Sequence, residues 1–149
     1  MKTIIPTHPL DRGMVVETFY SLEELASLGL KKYGKNIKIS RKTSIYHPEK
    51  VVLGDDVQIA DFCILSGTVE LGSYVHLGAF TAIYGQNGVR IGDFTAVAPR
   101  VLLFSTSNDY SGEHLTHPHA PSDLGKGIDG AVIIGRHCII GAGSVVLPG

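Results

Sequence analysis

An aliphatic residue recurs at every sixth position through most of this chain. The series runs Leu53, Ile59, Leu65, Leu71, Leu77, Ile83, Ile91, Val97, Leu103, Ile134, Ile140 and Val146. It breaks twice, by two extra residues after Ile83 and by a long segment after Leu103. A short repeat of fixed period is typical of a solenoid, in which each unit buries its apolar side against the next unit.

The neighbours of each aliphatic residue indicate the shape of the repeat. The residue two positions earlier is Val, Thr, Cys or Ser throughout, and because strand side chains alternate with period two, both positions point inward. Glycine often follows the aliphatic residue, as at Gly54, Gly72 and Gly78, which suits a corner where a β-carbon would be crowded. The excess of glycine, 18 of 149 residues, therefore fits a pattern of short strands joined by tight corners.

Charge and hydropathy exclude several classes of protein. The net charge is −1 and only 18% of the residues are charged, so the chain lacks the basic excess that binding to nucleic acid or an anionic membrane requires. A hydrophobic content of 44% argues against disorder, and no apolar run reaches the ~18–20 residues of a membrane helix. Two cysteines and no secretory segment lead us to expect a cytoplasmic protein with reduced thiols and no metal.

The chain is predicted to have two parts. Residues 1–50 form an N-terminal extension and the entry to the solenoid. Within this extension, Ser21–Leu28 is a short helix that covers the first coil, marked by a capping box of Ser21 and Glu24. Residues 51–149 form the solenoid domain. Its last hexad is incomplete, and we expect further C-terminal coils to be missing.

Bulky residues mark the two interruptions of the repeat. Tyr84 and Phe104 occupy the corner position immediately before them. Tyr84 precedes a small protruding turn over residues 85–88. Phe104 precedes a segment over residues 105–130, which is much longer than an ordinary connection. We therefore predict one long protruding loop that is either functional or disordered.

The repeat carries a resemblance to a known family. The segments from Ile91 to Pro99 and from Ile134 to Gly149 resemble the hexapeptide-repeat acyltransferases, in the branch of the galactoside and maltose acetyltransferases. The segment from Ser107 to Glu113 is similar to members that acetylate bacterial surface polysaccharides. The resemblance implies an all-β fold, a left-handed parallel β-helix. It also implies a homotrimer with acetyl-coenzyme A bound in a groove between neighbouring subunits.

The outward residues of the repeat distinguish three faces, because three hexads make one coil and every third hexad stacks on the same face. One face is apolar, with Ile64, Ala82, Leu102 and Val145. A contiguous apolar patch is typical of an interface, so we assign this face to trimer contacts. The second face brings Glu70 and Arg90 onto adjacent coils as an exposed ion pair. His76 projects from the third face.

Acetyl transfer to a sugar hydroxyl needs a base for the acceptor proton and a donor for the developing oxyanion. In the galactoside acetyltransferases a histidine follows the point where the long loop departs, and the matching position here is about Asp109. The sequence therefore departs from the family pattern at the base. We predict that His76, Asp109 and His114 are the catalytic residues, while His117, in the same loop, is a further candidate.

Binding residues are predicted from their places in the repeat. Backbone N–H groups near Ala98, Gly141 and Ser144 are expected to line the coenzyme groove. Asn87 and Asn108 lie beside the two interruptions and are expected to bind the acceptor. An amine acceptor would need less help from a base than a hydroxyl.

Several functions remain open from the sequence. The first is acetyl-coenzyme A-dependent acetylation of a sugar hydroxyl, in surface polysaccharide or glycan biosynthesis, and the alternative is N-acetylation of a nucleotide-linked amino sugar. A zinc enzyme similar to the γ-class carbonic anhydrases would use His114 and His119, which are five residues apart, together with His76. A non-catalytic β-helix scaffold is the third class.

Overall fold

The computed structural model describes residues 18–117, 119, 121 and 124–149. The first part of the predicted N-terminal extension lies outside the described residues. Within the described ranges, no helical segment has the length and hydropathy of a membrane span. The architecture is that of a parallel β-solenoid, with helix α1 at Leu22–Ser27 and a 3₁₀ turn at Pro48–Lys50.

The strands are short and follow the hexads. In chain order, β1 to β14 are Lys38–Ile39, Ser44–Tyr46, Val51–Leu53, Gln58–Ile59, Ile64–Leu71, His76–Leu77, Ala82–Ile91, Ala96–Val97, Leu102–Phe104, Thr106–Asn108, Gly127–Asp129, Val132–Ile134, Ile139–Ile140 and Val145–Val146. β5 and β7 each run round a corner and so contribute to two faces. β10 and β11 belong to the long interruption.

Parallel pairing between successive coils builds the faces of the solenoid. One sheet has the order β1-β4-β6-β8-β13, and a second has the order β14-β9-β7-β5-β2, with β3 and β12 pairing to β5 and β7 at the third face. The predicted faces are confirmed residue by residue. Ala82 pairs with Ile64 and Leu102, and the Arg90 guanidinium lies 2.9 Å from the Glu70 carboxylate.

The core is a stack of the predicted aliphatic residues. From Leu53 to Leu103, each member of the series is at most 2% exposed. The residues two positions earlier, including Val57 and Thr81, are also buried. The hexad therefore predicts the interior correctly, because two inward positions in each strand are enough to fill the space between the faces.

The glycine corners are crowded by the neighbouring coil. A Cβ on Gly54 would lie 2.6 Å from the backbone of Gly72, and a Cβ on Gly78 would lie 2.6 Å from the backbone nitrogen of Pro99. These glycines permit close stacking of coils. The positive φ angles of the repeat occur two residues after the corner position, for example at Phe62 (φ 60°) and Tyr74 (φ 59°).

Several residues with positive φ are aromatic and stack in columns on the outside. Tyr74 and Phe94 stack with ring centroids 4.7 Å apart, and Phe94 stacks on His137 at 5.1 Å. Phe62 and Phe80 stack at a second corner. Stacking of this kind offsets the cost of left-handed backbone at bulky residues.

The predicted N-terminal helix is confirmed within one residue at each end. The Glu24 backbone N–H donates to the Ser21 hydroxyl, and the Glu24 carboxylate accepts from the Ser21 backbone N–H at 2.7 Å. Leu25 is 1% exposed and joins the core. Arg41 hydrogen-bonds the Glu24 carboxylate at 2.7 Å and holds its pKa at about 2.

Candidate active site

The long interruption contains a two-stranded antiparallel hairpin base. β10 and β11 pair from Thr106 with Asp129 to Asn108 with Gly127. Ser105 is fully buried, and its hydroxyl donates to the carbonyl of Tyr84 on the coil below. The interruption therefore leaves the solenoid through an ordered anchor. Its full extent as a protruding loop stays a prediction.

Asn87, in the two-residue insertion one coil below, ties this hairpin base to the solenoid. Its side-chain nitrogen lies within hydrogen-bond distance of the Ser105 carbonyl (3.1 Å), the Thr106 hydroxyl (2.8 Å) and the Asp129 carboxylate (2.9 Å). Its backbone N–H donates to the Ser105 hydroxyl. The structure thus gives Asn87 a positioning role that the sequence did not indicate. Acceptor binding by Asn87 stays a prediction.

Asp109 and His114 come together directly beyond β10. The Nδ1 atom of His114 lies 2.7 Å from Oδ2 of Asp109, and the side chains are 31% and 15% exposed. The other carboxylate oxygen accepts from the backbone N–H of Ser111 at 2.9 Å. This turn reverses the chain and brings His114 back to Asp109. Two of the three predicted catalytic residues are therefore in contact.

Hydrogen bonding determines the charge of Asp109 and the tautomer of a neutral His114. The Ser111 backbone N–H and hydroxyl, together with His114, hold the pKa of the Asp109 carboxyl at about 2. Near neutral pH Asp109 is therefore a carboxylate, which can only accept hydrogen bonds. The Nδ1 atom of His114 must then carry the proton, so a neutral His114 presents an unprotonated Nε2. The arrangement is that of an oriented general base.

A cavity of about 230 Å³ lies at the base of the long interruption. It is lined by Phe104, Thr106, Ser107, Asn108, Tyr110 and Leu147. Its walls include Asn108 and Tyr110, the chain neighbours of Asp109, but neither Asp109 nor His114. The predicted acceptor-binding residue Asn108 is among its walls.

His76 lies elsewhere. It is exposed in β6, in register with Gln58 and Ala96, on a different sheet from β9, the strand that leads to β10. Within the described ranges, no group of three His, Cys, Asp or Glu residues could hold a metal ion. His117 and His119 contact each other in the loop, where the His119 backbone N–H donates to Nδ1 of His117.

The predicted coenzyme-binding residues cluster in the last coils. Val97 pairs with Ile140, so Ala98 and Gly141 lie at the same corner of adjacent coils. The Ala98 backbone N–H donates to the Ile140 carbonyl, and the Ser144 hydroxyl donates to the Gly141 carbonyl. The Ala98 N–H is therefore used by the ladder between coils. Coenzyme binding by these three residues stays a prediction.

We expect Asn87→Ala to loosen the hairpin base without unfolding the solenoid. The side chain provides three contacts to the hairpin, and each hydrogen bond contributes about 0.5–1.5 kcal/mol. Hydrogen exchange of the β10 and β11 amides should rise about tenfold or more, while that of β5 stays unchanged. The matched control is Asn36→Ala, which removes a bond to Asp56 at another corner. Equal protection of the hairpin in both variants would contradict the positioning role.

The fold is a β-solenoid of hexads, and its long interruption holds an aspartate–histidine pair. No family model matches the chain, but its curated relatives identify the class of protein. The chain belongs to the hexapeptide-repeat acyltransferases, among those that act on sugars. It is 38% identical over 128 residues to the dTDP-4-amino-4,6-dideoxy-D-glucose acyltransferase of Escherichia coli, a match that spans 84% of this chain and 67% of that protein.

Other relatives agree with this assignment. Nodulation protein L of Rhizobium leguminosarum bv. viciae is 31% identical over 101 residues, which span 66% of this chain and 48% of that protein. Among solved structures, the N-acyltransferase AntD from Bacillus cereus in complex with dTDP and 3-hydroxybutyryl-CoA superposes with a TM-score of 0.86 at 43% identity, covering 89% of this chain and 71% of AntD. A serine-to-alanine variant of AntD in complex with dTDP-4-amino-4,6-dideoxyglucose and coenzyme A gives 0.86 at 44% identity, with 89% and 72% covered. These relatives favour the amino-sugar alternative over hydroxyl acetylation.

Proposed function

We propose that this enzyme transfers an acyl group from an acyl-coenzyme A to the amino group of a nucleotide-linked amino sugar. The observation that carries the proposal is the contact between His114 and Asp109 in a chain related to dTDP-amino-sugar N-acyltransferases. A dTDP-4-amino-4,6-dideoxy sugar is the acceptor that the relatives' names indicate.

The geometry supports a direct transfer. The acceptor nitrogen attacks the thioester carbonyl carbon and forms the C–N bond, and Nε2 of His114 takes a proton from that nitrogen. The C–S bond then breaks, and the coenzyme A sulfur leaves and takes up a proton. Asp109 fixes the orientation of His114 and stabilises the imidazolium that forms.

Assembly and setting are part of the proposal. The apolar face of Ile64, Ala82 and Leu102 supports a homotrimer, with acyl-coenzyme A between subunits. Sedimentation equilibrium of the purified protein tests this state, and a monomer at micromolar concentration would contradict it. We expect the enzyme to be cytoplasmic and to supply an acylated sugar for surface polysaccharide or glycan synthesis.

The acceptor class is tested by release of coenzyme A thiol. Purified protein is incubated with acetyl- or 3-hydroxybutyryl-coenzyme A and with matched acceptors, dTDP-4-amino-4,6-dideoxyglucose and its 4-hydroxy counterpart. Thiol release with the amine alone supports N-acylation. Release with the hydroxyl alone would support O-acetylation instead, and release with neither acceptor would contradict both readings.

A further inference from the structure

A second cavity lies on the same edge of the solenoid as the cavity lined by Phe104 and Asn108. Its volume is about 280 Å³, and its walls are His47, Lys50, Ser66, Gly67, Tyr84 and Gln86. Neither the mechanism nor the fold accounts for the polar groups collected here. The cavity is therefore a candidate binding site for a ligand.

One column of corner residues connects the two cavities. Tyr84 lines the second cavity and Phe104 lines the first, and their rings stack with centroids 5.1 Å apart and an interplanar angle of 6°. The strand register places Tyr46, Ser66, Tyr84 and Phe104 at the same position of successive coils. Strands lie ~4.8 Å apart, so this column is roughly 14 Å long. The two cavities are parts of one groove along the edge.

The two ends of the groove differ in charge. At one end, Glu49 lies 3.3 Å from His47, whereas Lys50 makes no ion pair within the described part of the chain. Ser66 and Gln86 add hydrogen-bond donors beside Lys50. The other end is lined by Phe104, Asn108 and Tyr110, without a charged side chain among its walls. The groove therefore offers a cation at one end and uncharged polar and aromatic side chains at the other.

A nucleotide-linked amino sugar has the complementary pattern. Its diphosphate is anionic, and its sugar has polar substituents and apolar ring faces. We infer that the acceptor lies lengthwise in this groove, with its diphosphate at Lys50 and its amino sugar against Phe104 and Asn108. The inference rests on the proposed function and assigns a phosphate-binding site to Lys50, which binds as a point charge.

The test is binding of dTDP alone, measured by calorimetry on the full chain. We expect Lys50→Gln to weaken the affinity for dTDP about tenfold, and to raise KM for the nucleotide-linked amino sugar by a similar factor with kcat nearly unchanged. Lys50→Arg should keep most of the affinity, which also shows that the position tolerates substitution. Lys38→Gln, on a different face of the solenoid, is the matched control and should bind dTDP as the wild type does.

The outcomes of this experiment distinguish failure of the Lys50 site from failure of the proposed function. Unchanged dTDP affinity in Lys50→Gln, or equal weakening in Lys38→Gln, overturns the inference, even when acyl transfer proceeds normally. Dependence of dTDP binding on Lys50 supports the site even when no acyl transfer is detected, and in that case the proposed function fails alone. Absence of dTDP binding to the wild-type protein overturns the inference as well.

Discussion

Replacing His114 by glutamine is expected to lower kcat for acyl transfer by about 10²–10⁴-fold, the usual contribution of a positioned general base. Glutamine keeps a polar side chain of similar reach but cannot take a proton from the acceptor nitrogen. Because His114 is 31% exposed and lies in the inserted hairpin, the substitution should leave the thermal unfolding midpoint of the solenoid unchanged. Steady-state kinetics on the nucleotide-linked amino sugar measure the loss.

We expect Asp109 to contribute to catalysis through its contact with His114 and not as an independent group. Asp109→Asn is expected to lower kcat as well, and the double variant should be no slower than His114→Gln alone, because the two residues work as one unit. His117→Gln, in the same loop, is the matched control and should retain wild-type kcat. A full loss of kcat in His76→Gln, together with a retained kcat in His114→Gln, would contradict this assignment. The base would then be His76, on the other sheet.

The Asp109 carboxyl is ionised over the whole pH range in which we expect the enzyme to work. Its folded-state pKa of about 2 lies below the ordinary value of 3.8, so the hydrogen bonds to it stabilise the folded protein fully above the ordinary value. This contribution is lost as the pH falls towards about 2. The acid limb of the kcat/KM profile near neutral pH is therefore not expected to report protonation of Asp109.

Gly78→Ala is expected to lower the free energy of unfolding by about 1–3 kcal/mol, the usual cost of an overpacked interior. The new methyl group would lie 2.6 Å from the backbone nitrogen of Pro99 on the next coil. Backbone cannot move aside as a flexible side chain can, so two coils must separate locally. Urea denaturation followed by circular dichroism measures the change.

Gly135→Ala is the matched control, because it has the same place in its hexad. Its new Cβ would meet only the Cys138 sulfur at 3.7 Å, which is an ordinary contact. We expect a change of less than about 0.5 kcal/mol there. If both variants lose the same stability, the effect comes from glycine's backbone freedom and the stacking argument for Gly78 is wrong.

The periodic part of the structure was predictable because a single rule repeats. Once Leu65, Ile83 and Leu103 are recognised as equivalent, the pairing of adjacent coils and the outward faces follow from arithmetic. The contact of Glu70 with Arg90 was predicted in this way. The corner conformation was less accessible, because positive φ at Phe62 contradicts the preference for glycine and depends on stacking with Phe80 on the next coil.

The residues of the candidate site could be predicted from the sequence, but their arrangement could not. The sequence singled out Asp109 and His114 by residue type and place in the long interruption, yet their contact depends on the turn at Ser111. An Asp followed two residues later by Ser favours such a turn, and this local signal could have paired the two residues. No local signal marks the positioning role of Asn87, whose three side-chain partners are distant in sequence.

The inserted hairpin leaves the repeat and returns without disturbing it. Tyr84 pairs with Phe104 immediately before the hairpin, and Val89 pairs with Val132 immediately after it. The cost of closing a loop grows only slowly with its length. A chain of this design can therefore lengthen, shorten or exchange its catalytic segment while the coils continue to supply the folding stability. Reactivity and stability are then encoded in separate stretches of sequence.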